Sequence, residues 1–271
     1  ALGSLNSGNG RTTLTLSNGN LLDGGDAHID LAGNETVLDI ALGSIGTSAN
    51  PLETSVINLT GITSPAGFYL LETDDLNLLP IGGISPTSGE EIAIQAGGNI
   101  DLNSVLVATN LTLTASSVTD SGTTTVPNLA TLNTTGDVRL GDSGETVNFG
   151  TLIFDTNNLT LTESSSIELG ASTAQGNVVL TTTTGAITDI GSLEIAGDTT
   201  LSSGAFSITL DEANDFQGLV NLSNSGANTV ILNDAVGTFT LGNVNLGQDL
   251  LLTTSGLTGL GTGVVGRDLR V

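Results

Sequence analysis

The side chains with most capacity for chemistry in this 271-residue chain are carboxylates. The stretch Asn18–Glu35, NGNLLDGGDAHIDLAGNE, gathers Asp23, Asp26 and Asp30 among glycines. Several oxygen ligands in one loop are what a hard cation such as calcium needs. The stretch is not iterated and lacks the Gly-Gly-x-Gly-x-Asp pattern of the calcium-binding nonapeptide repeat, so acidic turn residues in water are the plainer reading. Asp23, Asp26 and Asp30 are the candidate calcium ligands, and no other cofactor is expected.

Catalysis finds little support. His28 is the single histidine and there is no cysteine, so no imidazole or thiolate partner exists for a zinc site or a second general base. Asp74 with Asp75, Glu90 with Glu91, and Asp211 with Asp215 offer the paired carboxylates of a glycoside hydrolase. A sugar cleft usually adds aromatic platforms, and here there is no tryptophan and one tyrosine, Tyr69. A lyase acting on acidic sugars needs cations, yet Arg139 is the only basic residue between Arg11 and Arg267. No catalytic residue is expected, and a polysaccharide-active enzyme is the third-placed reading.

The charge balance narrows the partners. Twenty-eight acidic residues face four arginines and no lysine, for a net charge of −24. Nucleic-acid binding relies on clustered positive charge and is excluded as an expectation. Attraction to an anionic membrane surface fails for the same reason. No run of 18 apolar residues is present, so no helical membrane insertion is expected.

The elements that must carry these residues read as strands. Thr13–Ser17 is TLTLS, Asn110–Thr114 and Asn158–Thr162 are both NLTLT, and Ser207–Leu210 is SITL. Apolar residues at i and i+2 bury one face and wet the other, and Thr, Val and Ile favour strands. No window carries the apolar spacing and good helix formers of an amphipathic helix. Asn110, Asn158, Asn177 and Asn228 stand just before such runs, where asparagine tolerates turn geometry and can form stacked side-chain ladders.

The runs recur. Leu113 answers Leu180, Asp120 answers Asp189, and Leu180 answers Leu252, a drifting period of about 70 residues. A shorter echo, IAIQAGGNI from Ile92 and LTLTASSVT from Leu111, gives a period of about 19 residues, so each long repeat holds about three turns. The expected fold is all-β: a right-handed parallel β-helix (β-solenoid) of roughly 12 turns, each about 19–25 residues. It is expected to be continuous over residues 1–271. Residues 1–109 form more divergent turns, and 110–176, 177–248 and 249–271 are successive repeats, the last incomplete.

Two phrases carry a family resemblance. Ile45–Val56 (IGTSANPLETSV) with Gly67–Leu78 (GFYLLETDDLNL), and Ala213–Ala235 with Thr240–Thr258, resemble repeats of giant bacterial surface proteins of the filamentous-haemagglutinin type. The resemblance implies a parallel β-helix, export to the cell surface or extracellular space, roles in adhesion or biofilm matrix, and no catalytic residues. The expected function is a non-catalytic structural or adhesive rod, with host or matrix glycans as partners. The alternative is a subunit of a self-assembling extracellular filament. The last repeat breaks off at GRDLRV without a capping element, so the expected partner at that end is further repeats or another copy. Arg267 and Arg270 are the candidate end-to-end contacts with an acidic neighbour.

Overall fold

The computed structural model describes residues 2–63, 66–79, 91–103 and 106–271. Among these there are 28 strands and no helix. The chain is an all-β solenoid whose strands pair in parallel with the equivalent strand one turn on, about twelve turns in all. Glu90, one of the carboxylates singled out above, lies outside the described residues. The chain divides into two compact units, Ala1–Thr135 and Gly136–Val271.

In the first unit the alternating runs stack like on like. Phe68, Ile92, Leu111 and Ala130 form one inward column, and Leu70, Ile94, Leu113 and Leu132 form the next. All eight side chains are buried. Leu76, Ile100 and Val118 line a second face. The shorter sequence echo is one turn here, since Ile92 is paired with Leu111. Turn length is not constant: the turn from Leu5 to its partner Leu31 is markedly longer than the turn from Ile100 to its partner Val118. The strands tolerate this because side-chain alternation is set within each strand, and length differences are absorbed at the corners.

The second unit repeats the principle. Leu140, Leu161, Leu180, Leu201, Leu222 and Val244 stack in a single column. Ile167, Ile187 and Ile208 form another column, and Leu210, Leu232 and Leu252 a third. Residues between them point outward, as Val179 and Asn221 do. Three turns from Leu180 end at Val244, whereas Leu252 lies further on, in the Leu210 column. The step from Leu180 to Leu252 therefore spans three turns plus part of a fourth and lands on a different face.

Corners decide where glycine is needed. Gly176, Gly197 and Gly218 occupy the same corner on successive turns, one turn directly over the last. A Cβ on Gly197 would sit 2.5 Å from the carbonyl carbon of Gly176, and one on Gly218 would sit 2.3 Å from the oxygen of Gly197. Both distances are shorter than a real Cβ contact, and the Gly197 N–H to Gly176 carbonyl bond of 3.0 Å keeps the first pair of turns that close. The requirement is close backbone approach, as in other tightly stacked repeats.

Adjacent positions on one strand give a direct test of the face assignment. Leu180→Ala, at a site with 0 % exposure, is expected to cost about 2–5 kcal/mol. Val179→Ala, at 38 % exposure, is expected to stay within about 0.5 kcal/mol of the parent. Chemical denaturation of both variants checks the ranking, and equal losses would contradict the assigned alternation.

Candidate functional site

The residues of the acidic loop come together only in part. Asp30 immediately precedes the strand Leu31–Ile40, and the pairing of Leu31 with Thr54 sets Asp30 beside Glu53 on the following turn. The Asp30 N–H donates to the Glu53 carbonyl at 2.9 Å, fixing that register. Asp23 lies in the same loop as Asp30 and forms a bridge with Leu2 on the preceding turn. Its Oδ2 accepts from the Gly25 N–H and from Asn50 Nδ2, both at 2.6 Å. The result is a group of three carboxylates, Asp23, Asp30 and Glu53, with an oxygen of each within 4.8 Å of the others.

Asp26 is not in that group. It is exposed, and its carboxylate accepts from the His28 N–H at 2.9 Å and faces His28 Nδ1 at 3.0 Å. The backbone N–H of His28 holds the Asp26 carboxyl below its ordinary range, with help from the ring. His28 is thus an exposed loop residue joined to one carboxylate. Asp30 and Glu53 move the other way. Burial pushes the Asp30 carboxyl up, and the charge of Asp23 adds to it; the same two causes, in the same order, raise Glu53. Glu53 is not conspicuous in the sequence because a full turn of chain separates it from Asp30. The turn length itself is the signal that could have found it.

Other buried carboxylates have full sets of donors and serve the fold. Glu72 accepts from Thr54 Oγ1 at 2.7 Å and the Val56 N–H at 3.0 Å with one oxygen, and from the Thr73 N–H at 2.9 Å with the other. Glu163 accepts from the Phe149 N–H at 3.1 Å and from Ser165. Asp234 accepts from the Phe216 N–H at 3.0 Å, and Asp189 from the Asp211 N–H at 3.0 Å and Asn214 Nδ2 at 2.8 Å. Each supplies an acceptor to a backbone N–H where a corner or bulge interrupts the strand ladder. Desolvation raises all four carboxyls. Among the pairs singled out as catalytic candidates, Asp75 accepts from the Asn99 N–H at 2.7 Å and Asp74 from Ser55 Oγ at 3.1 Å. Asp215 accepts from Gln217 at 3.1 Å.

The expected asparagine ladders are present. At one corner of the second unit, Asn158 Nδ2 donates to Asp137, and Asn158 Oδ1 accepts from the Asn177 N–H at 2.7 Å. Asn177 Oδ1 accepts from the Asp198 N–H at 2.8 Å, and Asp198 from the Leu219 N–H at 2.9 Å. In the first unit Asn128 donates to Asn110 at 2.7 Å, and Asn103 to Asn77 to Asn58 at 2.6 and 3.1 Å. Asn228 reaches the Ala205 carbonyl at 2.6 Å. At the other end of the chain, Arg267 grips Asp249 with Nε at 2.8 Å and Nη2 at 2.5 Å, which holds the Asp249 carboxyl below its ordinary range. Arg270 faces Asp268 at 3.4 Å and stays largely exposed.

An open groove on the first unit is lined by Thr47, Ser48, Tyr69, Glu91, Gln95 and Thr112. Pro51, Ala93 and Ile94 also line it, so polar and apolar side chains share its surface.

Comparison with known proteins adds one match. Residues 89–153 and 156–223 each match a family model described as repeats of unknown function (DUF5649). The second match begins as far beyond the first as Leu180 lies beyond Leu113, so the two share a period, although the matched segments begin and end elsewhere than the repeats at 110–176 and 177–248. No curated protein and no solved structure matches the chain.

Glu163 gives a pH dependence with a definite sign. Desolvation pushes its carboxyl from 4.5 up to about 7. The folded chain keeps a proton that the unfolded chain releases across that window. The contribution is therefore complete below 4.5 and lost as pH rises through about 7. At about 1.4 kcal/mol per unit the loss is roughly 3 kcal/mol. Denaturation at a series of pH values should show the parent falling by about that amount relative to Glu163→Gln between pH 4.5 and 7.5; a constant gap would refute the assignment.

Proposed function

We propose that this β-solenoid repeat chain is a non-catalytic structural spacer with an adhesive outer surface, part of an exported bacterial surface protein of the filamentous-haemagglutinin type it resembles. The observation that carries the reading is where its polar side chains go. Glu72, Glu163, Asp189 and Asp234 accept backbone N–H groups, and the asparagines join one turn to the next. Such groups hold a scaffold together; a hydrolase would need carboxyls aimed at a substrate cleft.

The mechanism of a spacer is mechanical. Parallel ladders and aliphatic columns resist bending and extension, because each turn is bonded to its neighbours along its strands. The outward Thr, Ser and Asn side chains are the contact surface, and the Tyr69 groove is where a host or matrix glycan would lie. The negative charge keeps the surface hydrated and discourages collapse onto other acidic polymers.

A spacer tolerates changes in length by whole turns. Deleting residues 178–198, which replaces the pairing of Leu159 with Val178 by one with Thr199, is expected to leave a folded chain with unchanged cell or glycan attachment. Deleting 178–187 alone leaves a turn unclosed and is expected to unfold the second unit. Circular dichroism, proteolysis and attachment assays on immobilised protein check both.

On a panel of acidic and neutral polysaccharides the parent chain is expected to show no turnover. Tyr69→Ala should weaken glycan retention while leaving the melting temperature within a few degrees. Sustained product release by the parent chain would overturn the non-catalytic reading.

A further inference from the structure

Among the described residues, the buried side-chain oxygens without a partner are the hydroxyls of Thr36, Thr124 and Thr199 and one oxygen each of three carboxylates that lie together. Asp23 Oδ1, Asp30 Oδ2 and Glu53 Oε2 are buried and have no hydrogen-bond partner. Asp23 and Asp30 as whole residues are 7 % and 3 % exposed. Unpaired buried oxygens are costly, and three carboxylates sharing a site repel one another as well. The usual remedy is a basic side chain, and none is available. The chain has no lysine, and its four arginines are engaged elsewhere: Arg11 with Glu35, Arg139 with Asp142, Arg267 with Asp249 and Arg270 with Asp268.

We propose that Asp23, Asp30 and Glu53 form a calcium-binding site that clasps the acidic loop to the following turn. The donor set is all oxygen, as a hard cation requires. Two oxygens on one calcium stand at most twice about 2.3–2.6 Å apart, and the three carboxylate oxygens, all within 4.8 Å of one another, fall inside that limit. Magnesium holds its ligands at about 2.0–2.1 Å in strict octahedral geometry and dehydrates reluctantly, so a part-buried site of carboxylate oxygens favours the more adaptable calcium ion. The ligands are also held in place. Asp23 is fixed through its second oxygen by Gly25 and Asn50, and Asp30 and Glu53 by the strand register. The site differs from the loop set Asp23, Asp26 and Asp30, because the third carboxylate comes from the next turn. It stands apart from the spacer reading, and neither depends on the other.

The test uses the full chain stripped of metal with a chelator. Calorimetric titration with calcium chloride, and thermal denaturation with calcium, magnesium or sodium chloride at equal ionic strength, read binding and stabilisation. Saturable one-site calcium binding is expected, with a rise in melting temperature that magnesium and sodium do not reproduce. Asp30→Asn and Glu53→Gln should each weaken binding at least tenfold, and both should melt above the parent in the absence of metal because they relieve carboxylate repulsion. Asp26→Asn should bind as the parent does. Absence of saturable calcium binding, an equal effect of magnesium, or calcium binding that survives in the Asp30→Asn/Glu53→Gln double variant would each overturn the proposal.

Discussion

In-register stacking of parallel turns is the constraint from which the rest of this structure follows. A parallel strand can satisfy its N–H and C=O groups only through the turns before and after it, since no hairpin partner exists. Outside the bulges, a strand position is therefore answered by an equivalent position one turn away. The leucine column through Leu161, Leu180, Leu201 and Leu222 is one consequence. The glycine corner at Gly176, Gly197 and Gly218 is another, because backbone lies on backbone at that point. Side chains that replace a broken ladder bond must then come from an adjoining turn.

That last requirement explains a feature that is otherwise unfavourable, the burial of acidic groups in a chain with net charge −24. Phe149 and Phe216 sit where the ladder is interrupted, and their N–H groups would be orphaned without Glu163 and Asp234. A carboxyl can accept from two or more donors at once, so it repairs a bend with a single residue. A continuous polar stack carries the theme on: Thr182 bonds the Gly185 carbonyl, Ser203 the Phe206 carbonyl at 2.6 Å, and Asn224 bonds Ser203 at 3.0 Å. These residues are buried, uncharged and donor-bearing, and they follow Glu163 at the same point of successive turns. The group at Asp23, Asp30 and Glu53 contrasts with them, because there the acceptors meet other acceptors.

Much of this was legible from residue order alone. Alternation in NLTLT and SITL identifies strands because side-chain direction in an extended chain depends only on parity. The asparagines before those runs were recognisable as ladder positions, and Asn158 and Asn177 are bonded as such. Less legible was the meaning of long repeats. Leu252 matches Leu180 in local pattern, yet it lies in the Leu210 column. Every inward strand wants the same Leu-x-Leu pattern, so similarity of sequence does not distinguish one face from another.

By itself, then, residue order determined the strand content, the inward and outward faces, the repetitive stacking and the scarcity of basic partners. Those properties depend on neighbours one or two positions away, or on composition. Only the tertiary structure decided which distant residues meet. It brought Glu53 to Asp30, turned Asp26 outward to His28, and set Arg267 against Asp249. The physical reason is that turns differ in length, from the short one between Thr151 and Glu168 to the long one between Leu5 and Leu31. Corner geometry sets each length, so contact between turns is fixed by where the backbone bends.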